Sequence, residues 1–204
     1  MDTGFGTDQL YSACRLEITH HFPDDGIECE PFNGTGFLAE FPTKDNRIGL
    51  VTNRHLTDAE FYSEVEYRGA TIKSIKLQWW QSSSLRLEPT INTPAPYYHA
   101  DPSIDVAITP IASKPNEPIA ITSTLFGDTA EWIDNQDTDQ LMFKHAFSWE
   151  YLLECEKLWP QIQPGDFVSF PGYPIWYDRL QIRPVLRSGM IASDPQTDLP
   201  TNGG

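Results

Sequence analysis

Several groupings of side chains in this 204-residue chain are of the right types to do chemistry. His20 and His21, followed by Asp24 and Asp25, combine imidazole and carboxylate, which are metal ligands. Adjacent side chains on a strand point to opposite faces, so the two imidazoles would converge only on an irregular backbone, and they are read as part of a surface loop. His145 and Cys155 offer an imidazole and a thiol, but no surrounding motif pairs them, and packing and surface roles are assigned to both. Gly34-Thr35-Gly36 lacks the third glycine and the following helix of a dinucleotide loop, and no Gly-Lys-Ser/Thr occurs, which argues against a phosphate cradle. His55 is different: it stands at the end of a strand, and imidazole is the side chain that exchanges protons near neutral pH.

The stretch from Asn33 to Asp58 positions that imidazole. It reads NGTGFLAEF, then a short polar turn at Pro42-Thr43-Lys44-Asp45-Asn46, then RIGLVTNRHLTD. Alternation of Phe37, Ala39 and Phe41, and then of Ile48, Leu50 and Thr52, predicts two antiparallel strands joined by a hairpin loop. The second strand runs through Thr52, Asn53 and Arg54 into His55. Thr57-Asp58-Ala59-Glu60 reads as a capped turn in which Thr57 or Asp58 accepts backbone N–H bonds.

Around the hairpin the chain is mostly short β segments. Cys14, Leu16 and Ile18 alternate in a first strand within Leu10 to Phe22, and Glu64 to Tyr67, Thr71 to Trp80 and Leu85 to Ile91 are expected as further strands. Ser82-Ser83-Ser84 separates two of them. Asn92 to Ser103, rich in proline and aromatic residues, is expected to be an ordered loop without regular structure, leading into a strand at Ile104 to Ile111. Lys114 to Pro118 divides the chain into two halves. Beyond it, Ile119 to Phe126 and Gln140 to Phe143 are expected as strands, Thr129 to Asp139 as an acidic loop, and Phe147 to Trp159 as a short amphipathic helix ended by Pro160 and Pro164.

Twenty-nine acidic against 14 basic residues give a formal charge of −15. Phosphate binding needs clustered lysine and arginine, so nucleic acid is not an expected partner. No window approaches the ~18 consecutive apolar residues of a membrane span, and the N-terminal MDTGFGTDQL has neither a basic nor an apolar leader region. The chain as written is therefore expected in the cytoplasm unless a leader has been removed. Cys14, Cys29 and Cys155 are odd in number and lack metal-ligand spacing, which fits a reducing compartment and indicates neither a disulfide framework nor a zinc site. No nucleotide, flavin or other cofactor is implied.

Gly34-Thr35-Gly36-Phe37-Leu38 followed by Leu50-Val51-Thr52-Asn53-Arg54-His55 resembles the first barrel of the trypsin-like, chymotrypsin-fold serine peptidases. Ile104-Asp105-Val106-Ala107-Ile108 matches the segment that opens the last strand of that barrel. In the second half, the Gly165-Asp166 to Pro174 segment and Pro184 to Ser193, with Ser188-Gly189-Met190-Ile191, resemble two successive strands of the second barrel in bacterial members. The likeness covers about Gly34 to Ser193. It departs from the family at Arg54, where a small residue is common, and in having no cysteine after His55.

This resemblance implies an all-β fold, a double β-barrel of the trypsin-like type with a short helix in the second half and a second barrel incomplete at the C-terminus. The halves would be 1–115, carrying the histidine and the aspartate, and 116–204. It further implies that His55 is the general base and then the general acid of a peptidase, and that Asp105 orients its imidazole. A lone aspartate before a strand is usually a loop cap; fifty residues after Thr52-Asn53-Arg54-His55 and followed by Val106-Ala107-Ile108, Asp105 is read as the triad member. The glycine-flanked serine turn of the family is missing, and Ser169, Ser188 and Ser193 do not match it. The chain is therefore expected to be a piece of a longer serine endopeptidase, with a partner or the missing C-terminal segment covering the open edge of its second barrel. The alternative is a catalytically silent, protease-like module that binds a peptide or a protein.

Overall fold

Alternation of buried and half-buried residues is clearest in the first strand, one face of which leaves water. The structure, a computed structural model, describes residues 10–42, 48–80, 86–92, 94–111, 119–122, 130–133, 146–174 and 183–192, with the backbone alone at 119–122 and 130–133. In β1 (Ala13–His21), Cys14, Leu16, Ile18 and His20 are buried while Arg15, Glu17 and Thr19 are half-buried. β2 (Phe32–Glu40) and β3 (Ile48–Thr52) form the expected antiparallel hairpin, with Leu38 opposite Leu50 and Phe37 opposite Val51. β4 (Thr71–Trp80) lies on the other side of β1, Leu77 opposite Leu16 and Ile75 opposite Ile18. These side chains are almost wholly withdrawn from water and form the core, joined by Leu50, Leu87 and Trp79.

β5 (Arg86–Leu87), β6 (Thr90–Asn92), β7 (Tyr97–Tyr98) and β8 (Ala107–Ile111) complete an eight-stranded antiparallel sheet. Its order is β5-β4-β1-β2-β3-β8-β7, with β6 also on β4. One stretch of chain thus touches both margins: β6 pairs with β4, and β7, a few residues on, pairs with β8. Among the described residues the sheet is not closed into a barrel, because the ladder is interrupted between Asn92 and Tyr97.

Two glycines of the Gly34-Thr35-Gly36 run are required by close approach. A Cβ on Gly36 would lie 2.8 Å from the Val51 carbonyl oxygen and 3.1 Å from Leu16 Cδ1, and one on Gly34 would collide with the Leu56 side chain. Gly36 thus admits the Val51 carbonyl of the neighbouring strand, and Gly34 leaves room for the Leu56 side chain of the turn after it.

In the second half, β9 (Ile119–Thr122) pairs with β10 (Ala130–Ile133), and β11 (Phe167–Gly172) with β12 (Val185–Met190), both antiparallel. A helix spans Trp149–Leu158, N-capped by the Ser148 hydroxyl, which accepts from the Tyr151 N–H at 3.2 Å. Phe147, just before it, is clamped to β2: its N–H donates to Leu38 O, its carbonyl accepts from Glu40 N–H, and its ring meets Phe37 edge-on. Tyr173 adds a second tether, donating from its hydroxyl to Ala13 O and from its N–H to Thr35 Oγ1.

Several expectations are corrected: the strand expected to run into His55 ends at Thr52, the strand expected at Leu85 to Ile91 is two short ones, β5 and β6, and that expected at Ile104 to Ile111 begins at Ala107. Glu64–Tyr67 is a helical turn, not a strand. Val65 there is 93% exposed, so no apolar face calls for a sheet, and the edge of β4 is occupied by β5 and β6. Gly69, at φ +80°, then lets the chain reverse into β4. The loop expected at Asn92 to Ser103 contains β7, recruited because β8 has a free edge opposite β3. The acidic loop expected at Thr129 to Asp139 contains β10, whose backbone pairs with β9. His20 and His21 end β1 and are not in a surface loop, and His20 is fully buried. The hairpin turn at 43–46, Ser82-Ser83-Ser84, the Lys114 to Pro118 boundary, the strand expected at Gln140 to Phe143, His145, and everything from Ser193 onward lie outside the described residues. No helix among the described residues is long and apolar enough to cross a membrane.

Candidate active site

The register of β3 against β8 brings His55 and Asp105 together. Thr52, the last residue of β3, lies opposite Ala107, the first of β8, so the chain leaving one strand and the chain entering the other share one end of the sheet. Thr52 fixes that end by donating its hydroxyl to Thr35 O at 3.0 Å, across on β2. After Asn53 in extended conformation the backbone makes a helical turn, Arg54–Thr57, and His55 sits within it.

Asp105 holds the histidine at two points. Its Oδ1 accepts from the backbone N–H of His55 at 2.9 Å, and its Oδ2 lies 2.6 Å from His55 Nδ1. Asn53 donates its amide to the same Oδ2 at 3.2 Å and to the Asp105 carbonyl at 3.3 Å. Partial burial works against ionisation of Asp105, but the bonds from the His55 backbone and ring, the charge of His55 and the Asn53 amide outweigh it and hold the carboxyl below its usual range. An ionised carboxylate can only accept, so Nδ1 carries the proton. In the neutral ring the lone pair falls on Nε2, which makes no hydrogen bond to any described residue. With side chains 36% and 35% exposed, the pair is open to a substrate from solvent.

Behind this pair the turn is braced. Arg54, the residue that departs from the family pattern, puts Nε and Nη2 on Asp58 Oδ2 at 3.0 and 2.9 Å. Its guanidinium is 4.5 Å from the Phe61 ring centroid and 4.9 Å from that of Tyr98. Asp58, as expected, caps the next turn, its Oδ1 accepting from Phe61 N–H at 3.2 Å. The carbonyl of Thr57 ends the turn and accepts two hydrogen bonds, from the Tyr98 hydroxyl and from His20 Nε2, each at 3.3 Å.

His20 is the residue that chemistry-first reading misplaced. Continuing the alternation of Cys14, Leu16 and Ile18 by one step puts it on the core face, and that signal was available. Burial lowers its pKa from the ordinary 6.5, only partly offset by the Thr57 carbonyl and the Asp58 charge, with His21 adding to the depression. Its Nδ1 has no partner among the described residues. Between its folded and unfolded pKa values only the unfolded chain binds a proton, so its contribution to stability is complete above about pH 6.5 and is lost as pH falls below that. Urea-unfolding midpoints of the parent are therefore expected to drop more steeply on acidification than those of His20→Gln, which keeps an amide donor but does not titrate. Parallel curves for the two proteins would contradict this.

Among the described residues no other nucleophile is hydrogen-bonded to His55. Cys14 is buried and its thiol is pushed up to about 12, mainly by that burial, so it stays neutral. Cys155 is exposed on the helix. Ser169 and Ser188 face each other across β11 and β12, and neither is bonded to His55. No group of three or more His, Cys, Asp and Glu side chains among the described residues could hold a metal ion.

A cleft of about 330 Å³ opens directly beside the imidazole. Its walls are the chain entering β2, at Glu30 to Asn33, and the turns after His55, at Leu56, Tyr62 and Tyr67. No protein-family model matches this chain, and no curated protein matches it.

Proposed function

We propose that the chain carries the base and the orienting acid of a trypsin-like serine endopeptidase. The observation that carries this reading is the two-point capture of His55 by Asp105, through the backbone N–H at 2.9 Å and Nδ1 at 2.6 Å, with Nε2 left open. In this reading Nε2 takes the proton from a serine hydroxyl as the oxygen attacks the scissile carbonyl, and then gives it to the leaving amine; Asp105 stays ionised and stabilises the imidazolium. The serine comes from residues outside those described.

Three features support the trypsin-like fold that this implies, with halves 1–115 and 116–204. The strand order β4-β1-β2-β3-β8 joins the two catalytic candidates at one sheet end, the segment from Arg86 to Tyr98 touches both margins of the sheet, and the two second-half motifs fall on the paired strands β11 and β12. The unbridged thiols of Cys14, Cys29 and Cys155 suit a reducing compartment such as the cytoplasm.

The test is to treat the full-length gene product with a fluorophosphonate probe, which captures an activated serine. Labelling of one serine outside the described residues, lost in His55→Ala, is the expected result. A folded product whose serines remain unlabelled would overturn the peptidase and leave the silent binding module.

A further inference from the structure

We propose that the cleft beside His55 is a subsite for a basic side chain, lysine or arginine, within two residues of the bond to be cut; this inference rests on the peptidase reading above. The cleft has an aromatic wall. Phe32 meets Tyr62 with ring centroids 5.6 Å apart at 66° and Tyr67 at 5.3 Å and 83°, while Tyr62 and Tyr67 lie 6.3 Å apart at 55°. Phe32 is held edge-to-face by both tyrosines and is also met by His20 at 5.0 Å, whereas Tyr62 is 62% exposed and offers its ring to a ligand. His55 is in the same array, 6.4 Å from Tyr62, which places whatever lies on the rings next to the reacting atoms.

One carboxylate stands at that wall. Glu30 lines the cleft, is exposed, and makes no ion pair to a described residue. No lysine or arginine among the described residues lines the cleft; Arg68 is paired with Glu64 and Lys73 with Glu28, while Arg15 stands behind the cleft, donating to Asn33 Oδ1 and Gln78 Oε1. A long basic side chain satisfies both halves of this site: its methylenes cover the rings and its charged end sits over a ring face within reach of Glu30. An apolar side chain would use the rings but leave the carboxylate unanswered. An acidic one would be repelled, by the rim and by the −15 charge of the whole chain.

Binding tests this without any serine. Blocked alanine hexapeptides carrying one lysine, one norleucine or one glutamate are titrated into the chain while the ring-proton resonances of Tyr62 and Tyr67 are followed. The lysine peptide is expected to bind about fivefold more tightly than the norleucine peptide, the glutamate peptide most weakly, and the lysine advantage to shrink with added salt. Glu30→Gln and Tyr62→Ala change exposed residues, and circular dichroism checks that each variant is folded; each is expected to bring lysine towards norleucine. Equal affinity for lysine and norleucine, a preference unchanged in both variants, or no shift of the two tyrosines with millimolar lysine peptide would overturn the subsite. The two readings fail separately: lysine-selective binding without fluorophosphonate labelling removes the peptidase and keeps the site, and labelling without lysine selectivity does the reverse.

Discussion

Asp105→Asn lowers kcat for peptide hydrolysis by about 10⁴ in the serine-bearing product, with little change in KM, if the pair works as proposed. The substitution isolates the tautomer from the fold. An asparagine at this place keeps an oxygen to accept the His55 backbone N–H, so the turn stays anchored as in the parent. Its amide N–H₂, however, then faces Nδ1, which must become the acceptor. The ring proton moves to Nε2, where the lone pair is needed for the serine. Asn53→Ala is a useful companion, since it removes a donor to Oδ2 but leaves the carboxylate in place, and its loss should be far smaller. An Asp105→Asn enzyme within about tenfold of the parent would sink the assignment of Asp105 as the orienting acid.

Leu16→Ala is expected to destabilise the fold by about 3 kcal/mol, read as a shift in the urea midpoint at unchanged slope. Leu16 has no exposed surface and lies in β1, which is paired on both sides, with β2 and β4. Opposite it stand Leu77 and Gly34, and its Cδ1 lies close to the missing side chain of Gly36. A glycine backbone held in a ladder cannot move into the space that the truncation leaves, so much of the cavity should persist. Val65→Ala, at a position 93% exposed, serves as the control and should stay within about 0.5 kcal/mol of the parent. A Leu16→Ala loss under about 1 kcal/mol would mean that β1 is not the centre of the core.

The two long strands around Gly34-Thr35-Gly36 were legible because their signals are local. Alternation selects which side chains face inward, and the glycines mark where backbones approach. The same alternation reaches His20, but a histidine pair beside two aspartates invites a reading by chemistry, and the period was dropped one residue too early. Glu64–Tyr67 went the other way. Four residues with a single apolar side chain satisfy a strand and a helical turn equally, and only the lack of a ladder partner separates them. At Tyr97–Tyr98 the proline-rich surroundings conceal a strand whose existence depends on an edge offered by β8.

By itself the sequence determined the antiparallel pairing of the strands before and after the 43–46 turn, the strand at Thr71–Trp80 and a capped turn at Thr57 or Asp58. Each of these follows from side-chain spacing within a few residues. Only the tertiary structure decided that Asp105 reaches His55, that His20 and Tyr98 brace the same carbonyl, and that Phe32, Tyr62 and Tyr67 line one cleft. Those contacts depend on the register of β3 against β8 and of β1 against β4, and a register is a choice of partner that no short stretch of chain can specify alone.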